Sequence, residues 1–305
     1  MNEGLTPNSG ANSVFEKRLN TYSANHCWQY DVRVNNYDED LAVSGFTREY
    51  VEALRVPDFR FVQVDDKKER QRMGAFIKRH EWLGNLSQFT THWFACYHKD
   101  VMAGVILFNV PNTFSKMLGD NTPHLERLIS RGACISWSPK NLASSFLMWC
   151  INWMVHNTTY RLFTAYSDPT AKEIGTIYQA CNFYYMGQTS GTIRRYISPW
   201  TGKIVSDRYF RQKTVYRKLC AEIGIEWKME WMRKTGMNWH LIPDDIEARM
   251  RAQSKLKQSQ AKLIEMPPKH KYAYVLGVNK KETSKLRKLF EERNKTYPYP
   301  KERGK

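Results

Sequence analysis

Two apolar runs, His92–Tyr97 and Val101–Val110, are separated by no more than His98-Lys99-Asp100. Strand-forming runs at that spacing fold back on each other as a β-hairpin, and Pro111 then ends the second strand. The hairpin lies inside a longer alternation. Phe59–Val64 alternates apolar and polar residues as a strand does, and Asp66–His80 follows as a helix opened by acidic residues that suit its positive end. Beyond the hairpin, Glu126–Trp137 reads as a strand. Ser138 and Pro139 then supply an N-cap and a first helical position for a helix over Lys140–Val155. That helix carries Leu142, Phe146, Leu147, Trp149, Ile151 and Met154 on several sides, so it is expected to be buried. Arg161–Tyr166 is a short strand, Thr170–Cys181 a helix, and Phe183–Met186 and Arg194–Ile197 begin two more strands. The order β–α–β–β–β–α–β–α–β predicts an α/β (α+β) fold, a mixed sheet flanked by helices.

From Lys213 onward the pattern changes. Lys213–Ile223, Asp244–Ile264 and Lys280–Asn294 read as helices, with Pro267-Pro268 as a break and Tyr272–Leu276 as a short strand. The expected organisation is an N-terminal extension over 1–55, partly mobile because Asn, Ser and Gly dominate its start, then the sheet-bearing domain over 56–212 and a basic, mainly helical C-terminal extension over 213–305. The net charge of +17 is large for a chain of 305 residues and points to a polyanionic partner. Residues 251–305 hold 16 Lys/Arg against 5 Asp/Glu, which places +11 of the charge in that stretch. Basic groups also interleave with aromatics, which suits phosphates and exposed bases. The candidate DNA contacts are Arg208, Arg211, Lys213, Arg217, Lys218, Lys269 and Lys271, beside Tyr216, Trp227, Trp231, Tyr272 and Tyr274.

The same sequence argues against several other classes. The start, MNEGLTPNSG, has no basic residue followed by an apolar run, so a signal peptide is not expected and the cytoplasm is the default. No stretch is long and apolar enough for a membrane span. The six cysteines are scattered with no Cys-x-x-Cys pair, so they read as small buried residues rather than zinc ligands or a disulfide framework. The histidines are spread singly, so no metal is expected, and iron has no support from spacing.

Polar residues concentrate between Glu126 and Gly187, at three strand–helix junctions where open sheets bind ligands. Asp168 ends a strand before Pro169. It can be a general base or amine ligand, or a turn-starting Asp that bonds its own backbone. Arg131 in an apolar strand needs a partner, either Asp168 or an anionic group of a donor. Lys140, Asn141 and Ser144 at the start of a helix are candidate donor contacts, against a helix-interior serine for Ser144. Asn182 is a further candidate site residue, or simply caps its helix. His80 and Glu81, beside Trp82 at the end of the first helix, read by themselves as a surface His–Glu pair.

The run Leu128-Ile-Ser-Arg131, Pro139-Lys-Asn141, Tyr166-Ser-Asp-Pro169, Gly175-Thr-Ile-Tyr178-Gln-Ala180 and Asn182-Phe183 resembles the core of the phage Mom-type DNA-modification family, a divergent N-acetyltransferase-like (GNAT-like) group. The likeness covers about residues 59–195 with a tail motif, Lys269-His-Lys-Tyr272 and Tyr297-Pro-Tyr-Pro-Lys301. It implies a GNAT-like fold and a transferase that adds a small acetamido-type group to the exocyclic amine of adenine in phage DNA, protecting it from restriction. The partner is then double-stranded DNA with a flipped adenine. The resemblance casts Tyr178 as general acid or substrate contact, with a core tyrosine as the plain alternative, and it implies that His80 and Glu81 line the acceptor site. Acyl-CoA-binding members of the fold carry a glycine-rich pyrophosphate loop. The equivalent Ser138-Pro-Lys-Asn-Leu-Ala-Ser144 has no glycine, so acetyl-CoA is expected to bind weakly, and another small acyl or aminoacyl donor is equally compatible. Two other classes stay open at this stage: an acyl-CoA N-acyltransferase acting on protein or tRNA, and a non-catalytic DNA-binding protein on the same scaffold.

Overall fold

The computed structural model describes residues 27–302 except 88, 190–192 and 235. The described residues form two compact units, one built from 27–189 and 268–302, the other from 193–267. In the larger unit the elements run α1 (Trp28–Ser44), α2 (Arg48–Ala53), β1 (Arg60–Gln63), α3 (Lys67–His80), β2 (Thr90–His98) and β3 (Val101–Asn109). They continue with β4 (Glu126–Cys134), α4 (Leu142–Asn157), β5 (Leu162–Ser167), α5 (Thr176–Ala180) and β6 (Tyr184–Gln188). The smaller unit holds β7 (Ile193–Ile197), β8 (Ile204–Ser206), α6 (Lys213–Glu222), β9 (Met232–Arg233), β10 (Gly236–Met237), α7 (Asp244–Gln260) and β11 (Leu263–Met266). The chain then returns to the larger unit as β12 (His270–Val275) and α8 (Lys280–Arg293).

The larger unit is a seven-stranded mixed sheet in the order β1-β2-β3-β4-β5-β12-β6, flanked by helices, as the sequence predicts. The hairpin forms with Lys99 at φ 50° in its turn. From Phe94 through His98, and from Met102 through Asn109, every residue is buried, so these strands lie between covered faces. Helix α3 starts where the sequence places it, because Asp66 accepts the Glu69 N–H at 2.8 Å. Helix α4 presses aromatics onto the sheet: Phe146 stacks on Phe61 at 5.0 Å, and Trp149 and Trp153 meet Phe94 at 6.1 and 5.3 Å.

Every neighbouring pair in this sheet is antiparallel except β4 with β5. Those two pair from Glu126↔Leu162 to Ile129↔Ala165 and then part. Beyond that rung β4 pairs only with β3, and the end of β5 only with β12. The result is an opening between the second half of β4 and the end of β5. A bulge lies at the same level, with Leu107 opposite Arg131 and Phe108 opposite Ile129, leaving Ser130 unpaired. Such bulges re-aim side chains.

Several expectations are corrected. Residues 28–54 are not an extension. Trp28, Val32, Val51 and Leu54 are buried, and Asp40 of α1 pairs with Arg79 at 2.8 Å while accepting the Ser136 N–H at 3.2 Å. Helix α4 begins at Leu142 rather than Lys140, because Asn141 adopts φ 69° at the cap and Ser138 is buried, its carbonyl accepting from Arg33 of α1. The expected helix over 170–181 breaks into a 3-10 turn at Pro169–Ala171 and the short α5, since Lys172 and Gly175 are left-handed at φ 53° and 71°. The region 213–305 is not one helical extension. Its last part re-enters the sheet as β12, pairing His270↔Ser167 through Val275↔Leu162 on one side and Tyr272↔Tyr185 on the other. The tail runs on along β6, with the Tyr297 N–H donating to Tyr185 O at 2.9 Å and Tyr299 Oη to Phe183 O at 2.6 Å. Pro298 and Pro300 lack the N–H that another strand needs, which blunts that edge.

The smaller unit has a three-stranded sheet, β11-β7-β8, and the β9–β10 hairpin. Val215, Tyr216, Leu219, Cys220, Trp231 and Met250 form its core. All six cysteines are free. Among the described residues no helix is long and apolar enough to cross a membrane.

Gly175 is the tightest backbone position in the larger unit. A Cβ there would sit 2.4 Å from the Tyr272 ring, and its φ of 71° already disfavours side chains. Gly175→Ala is expected to cost about 3 kcal/mol or more, from overpacking plus the left-handed backbone. Gly45→Ala, with φ 70° and open space, should cost only about 1 kcal/mol. Denaturant melts of the two variants check this, and equal losses would contradict the packing account.

Candidate active site

The opening between β4 and β5 gathers titratable groups from five elements. From β4, Arg131 is turned by the bulge toward the segment after α3. Its Nε donates to Asn85 O at 2.9 Å, a terminal nitrogen donates to Asn85 Oδ1 at 2.6 Å, and Nε lies 4.0 Å from Glu81 Oε1. Glu81 is 8% exposed, and its Oε2 accepts the N–H groups of Leu83 and Gly84 at 3.0 and 2.8 Å. Burial pushes the Glu81 carboxyl above the usual carboxylate range, against the pull of Arg131, those two N–H groups and Lys269.

From the end of β5, Asp168 uses both oxygens. Oδ1 accepts the Thr170 N–H at 3.0 Å, and Oδ2 pairs with Lys269 Nζ at 2.8 Å. Asp168 therefore does start a turn, and its ion-pair partner is Lys269, not Arg131. The turn wraps back on itself, with the Ala171 and Glu173 N–H groups donating to Asp168 O at 3.0 and 3.2 Å. This path directs Glu173 inward, where its carboxyl accepts the Asp168 N–H and the Trp82 indole N–H. Burial first, then the charges of Glu81 and Asp168, push the Glu173 carboxyl up to about 8 despite those two donors.

Tyr178 lies on α5, with its ring 5.3 Å from those of both Phe183 and Tyr272. Burial and the carboxyls of Glu173 and Glu81 raise its hydroxyl well above the ordinary tyrosine range, with Arg131 opposing. The phenol therefore stays protonated and can donate. Ser167, one residue before Asp168, is 3% exposed, and its Oγ has no hydrogen-bond partner among the described residues.

Of the residues singled out in the sequence, Arg131, Asp168, Tyr178 and Glu81 are brought together here. Lys269 joins them as a site residue rather than a free DNA contact. His80 is not a surface residue and does not join. It is 5% exposed and turned toward Asp40, with Nδ1 3.5 Å from Oδ2 and the ring 4.2 Å from that of Phe76. Burial lowers it to about 4, so it stays neutral. Lys140 and Asn141 are exposed ahead of α4, and Ser144 Oγ bonds back to Asn141 O at 3.0 Å. Asn182, at φ 56°, simply closes α5. Lys271 is partly buried on β12, where Glu126 supports its charge against burial. In the smaller unit, Arg211 pairs with Asp207 at 2.6 Å and Lys213 Nζ caps the Arg233 and Lys234 carbonyls at 3.0 and 3.2 Å. Arg208, Arg217 and Lys218 are exposed. Among the described residues no group of three or more His, Cys, Asp or Glu is placed to hold a metal ion. Glu173, not singled out in the sequence, also lies in this cluster. The available signal was its place between Asp168-Pro169 and Gly175, both turn formers.

The profile of the Mom protein family matches residues 58–301, which include every residue of this cluster. The chain belongs to the Mom protein family. Comparison with individually curated proteins gives no match. Among solved structures, the chain is similar to RimL, a ribosomal L7/L12 alpha-N-protein acetyltransferase in complex with coenzyme A, at 9% identity over 72% of this chain and 96% of that one, with a TM-score of 0.35. A Bacillus subtilis acetyltransferase in complex with CoA matches at 8% identity over 72% and 99%, with a TM-score of 0.32. FeeM, an N-acyl amino acid synthase from uncultured soil microbes, matches at 14% identity over 48% and 87%, with a TM-score of 0.30. A likeness at this level carries no information on substrate.

The raised Glu173 carboxyl has a consequence for stability. Unfolded, a glutamate releases its proton near 4.5; folded, Glu173 holds it to about 8. The folded state then binds the extra proton between those values, so stability from this group falls as pH rises through that window. Glu173→Gln keeps the acceptor oxygen and removes the titration. Its melting temperature is expected to exceed that of the parent at pH 8.5 and to approach it toward pH 5. Thermal melts across pH 5–8.5 check this, and a constant difference would contradict it.

Proposed function

We propose that this chain is a DNA-modifying transferase that adds a small acetamido-type group to the exocyclic amine of adenine. The observation that carries the reading is the family match over residues 58–301, because it spans the whole cluster at the β4–β5 opening. The chemistry of that cluster is compatible. An adenine amine is a poor nucleophile, since its lone pair is delocalised into the ring, and it needs a group to take its proton as the new bond forms. Carboxyls with elevated proton affinity, a protonated phenol at Tyr178 and the cations Arg131 and Lys269 supply acid–base groups and charge stabilisation in one place. The amine lies inside a duplex, so the base must leave the stack to reach the opening.

A net charge of +17 supports a nucleic-acid partner. In the smaller unit, Arg208, Arg217 and Lys218 are the candidate phosphate-binding residues, exposed beside aromatic residues such as Tyr209 and Trp200. Asp168 is read here as the residue that holds Lys269 and the 168–175 turn, rather than as the base.

The direct test is mass spectrometry of nucleosides from the DNA of cells expressing the full chain. A modified deoxyadenosine is expected with the parent and a strong loss with Tyr178→Phe, which removes only a hydroxyl. Unmodified DNA from cells making folded parent protein would contradict the function. A second test concerns the partner. Replacing Arg208, Arg217 and Lys218 together by Ala should weaken duplex binding. The slope of log K against log salt should fall by about 0.9 for each phosphate that is no longer neutralised. Unchanged affinity and slope at matched salt would remove these residues from the interface.

A further inference from the structure

We propose that Glu173, with Glu81 facing it across the opening, is the proton acceptor for the amine that this site modifies. The proposal rests on the reading of adenine modification given above and names the group that carries its proton transfer.

Geometry separates Glu173 from the other carboxyls. Asp168 has one oxygen on the Thr170 N–H and the other on Lys269. Glu81 has Oε2 on two backbone N–H groups and Oε1 toward Arg131. Glu173 accepts from two donors, the Asp168 N–H and the Trp82 indole, and among the described residues it has no ammonium or guanidinium partner. The left-handed residues Lys172 and Gly175 on either side of it fix the loop that presents it. The residue as a whole is half-buried, and its carboxyl is desolvated. Ser167 is a further polar group at the end of β5, next to Asp168. It is 3% exposed, and its hydroxyl lacks a partner among the described residues. Buried hydroxyls are normally satisfied.

The charged and titratable groups around Glu173 act in one direction. Glu81 from the end of α3 and Asp168 from β5 oppose its ionisation, as does burial. Tyr178 from α5 stays neutral beside it. Arg131 from β4 and Lys269, just ahead of β12, act on Glu81 instead. Glu173 is therefore a carboxyl whose proton affinity sits near working pH, the condition for an effective general base.

The step balances as follows. The amine nitrogen forms a bond to the electrophilic carbon of an activated donor of the acetamido-type group. The bond from that carbon to the leaving group breaks, and the leaving group takes its electron pair. The amine N–H proton passes to the Glu173 carboxylate and is then released to the leaving group or to water, which restores the carboxylate.

The test uses permeabilised cells expressing the full chain, which carry their own donor pool, buffered between pH 6 and 10. The rate of modified-adenine formation is read by mass spectrometry. The parent should show a rate that rises with an acid limb centred at about pH 8, where Glu173 loses its proton. Glu173→Gln should fold, bind duplex DNA as the parent does, and lose about 10²-fold or more of the rate. Glu81→Gln, which removes the facing charge, should move the acid limb to lower pH. A Glu173→Gln protein that modifies adenine at the parental rate would overturn the proposal. So would a Glu81→Gln protein whose limb stays in place, and this second arm decides the matter if Glu173→Gln melts below the assay temperature. Parent protein that yields no modified adenine at any pH would instead overturn the functional reading itself, and the proposal with it.

Discussion

Strand β12 occupies the slot between β5 and β6, and most of the larger unit depends on that pairing. It contributes six rungs to β5 and joins β6 to the rest of the sheet. Its core side chains are fully buried: Tyr272, Ala273 and Val275 are each 0% exposed. Tyr272 donates to Ile174 O and packs so close to Gly175 that no side chain fits there. The loop that carries Glu173 is thus moulded against a strand that arrives far later in the chain. The residue just before the strand, Lys269, neutralises Asp168 at the mouth of the opening.

Placement of charge follows from the same topology. β4 and β5 separate after Ile129↔Ala165, and the bulge at Ser130 turns Arg131 to the side where Glu81 lies. Helix α1 holds the far side of this arrangement. Asp40 fixes Arg79, His80 and the Ser136 N–H, and Arg33 fixes the carbonyls of Ser136 and Ser138. His80 and Glu81 are neighbours in sequence with opposite fates. One is a neutral buried residue facing α1; the other is a carboxyl facing Arg131.

Much of the sheet was legible because its signals are local. The hairpin at 90–109 follows from two apolar runs and a short turn, and the start of α3 follows from Asp66 and Glu69 three residues apart. Asp168 and Tyr178 were legible as candidates, and the structure shows Asp168 as a turn-starting residue with a lysine partner. What was not legible depends on contacts distant in sequence. The strand over Tyr272–Leu276 was legible, but nothing local says that it inserts between β5 and β6, so it was grouped with a basic extension and Lys269 read as a DNA contact. Glu173 was hidden for a related reason. A glutamate between a proline and a glycine looks like a solvated turn residue, and only the chain path through Lys172 and Gly175, together with Trp82 and Glu81 from elsewhere, makes it a desolvated one. The N-cap of α4 misled because Ser138 is drawn into the body by Arg33, leaving Asn141 to open the helix.

The central claim is that β12 is an integral strand whose pairing holds the site in shape. Native-state hydrogen exchange of the amides of Lys271–Val275 tests it most directly. If the strand is part of the cooperative core, these amides exchange only as slowly as those of β5, at the rate of global unfolding. Fast exchange of β12 beside a protected β5 would mean that the C-terminal segment is a detachable tail, and would contradict the account.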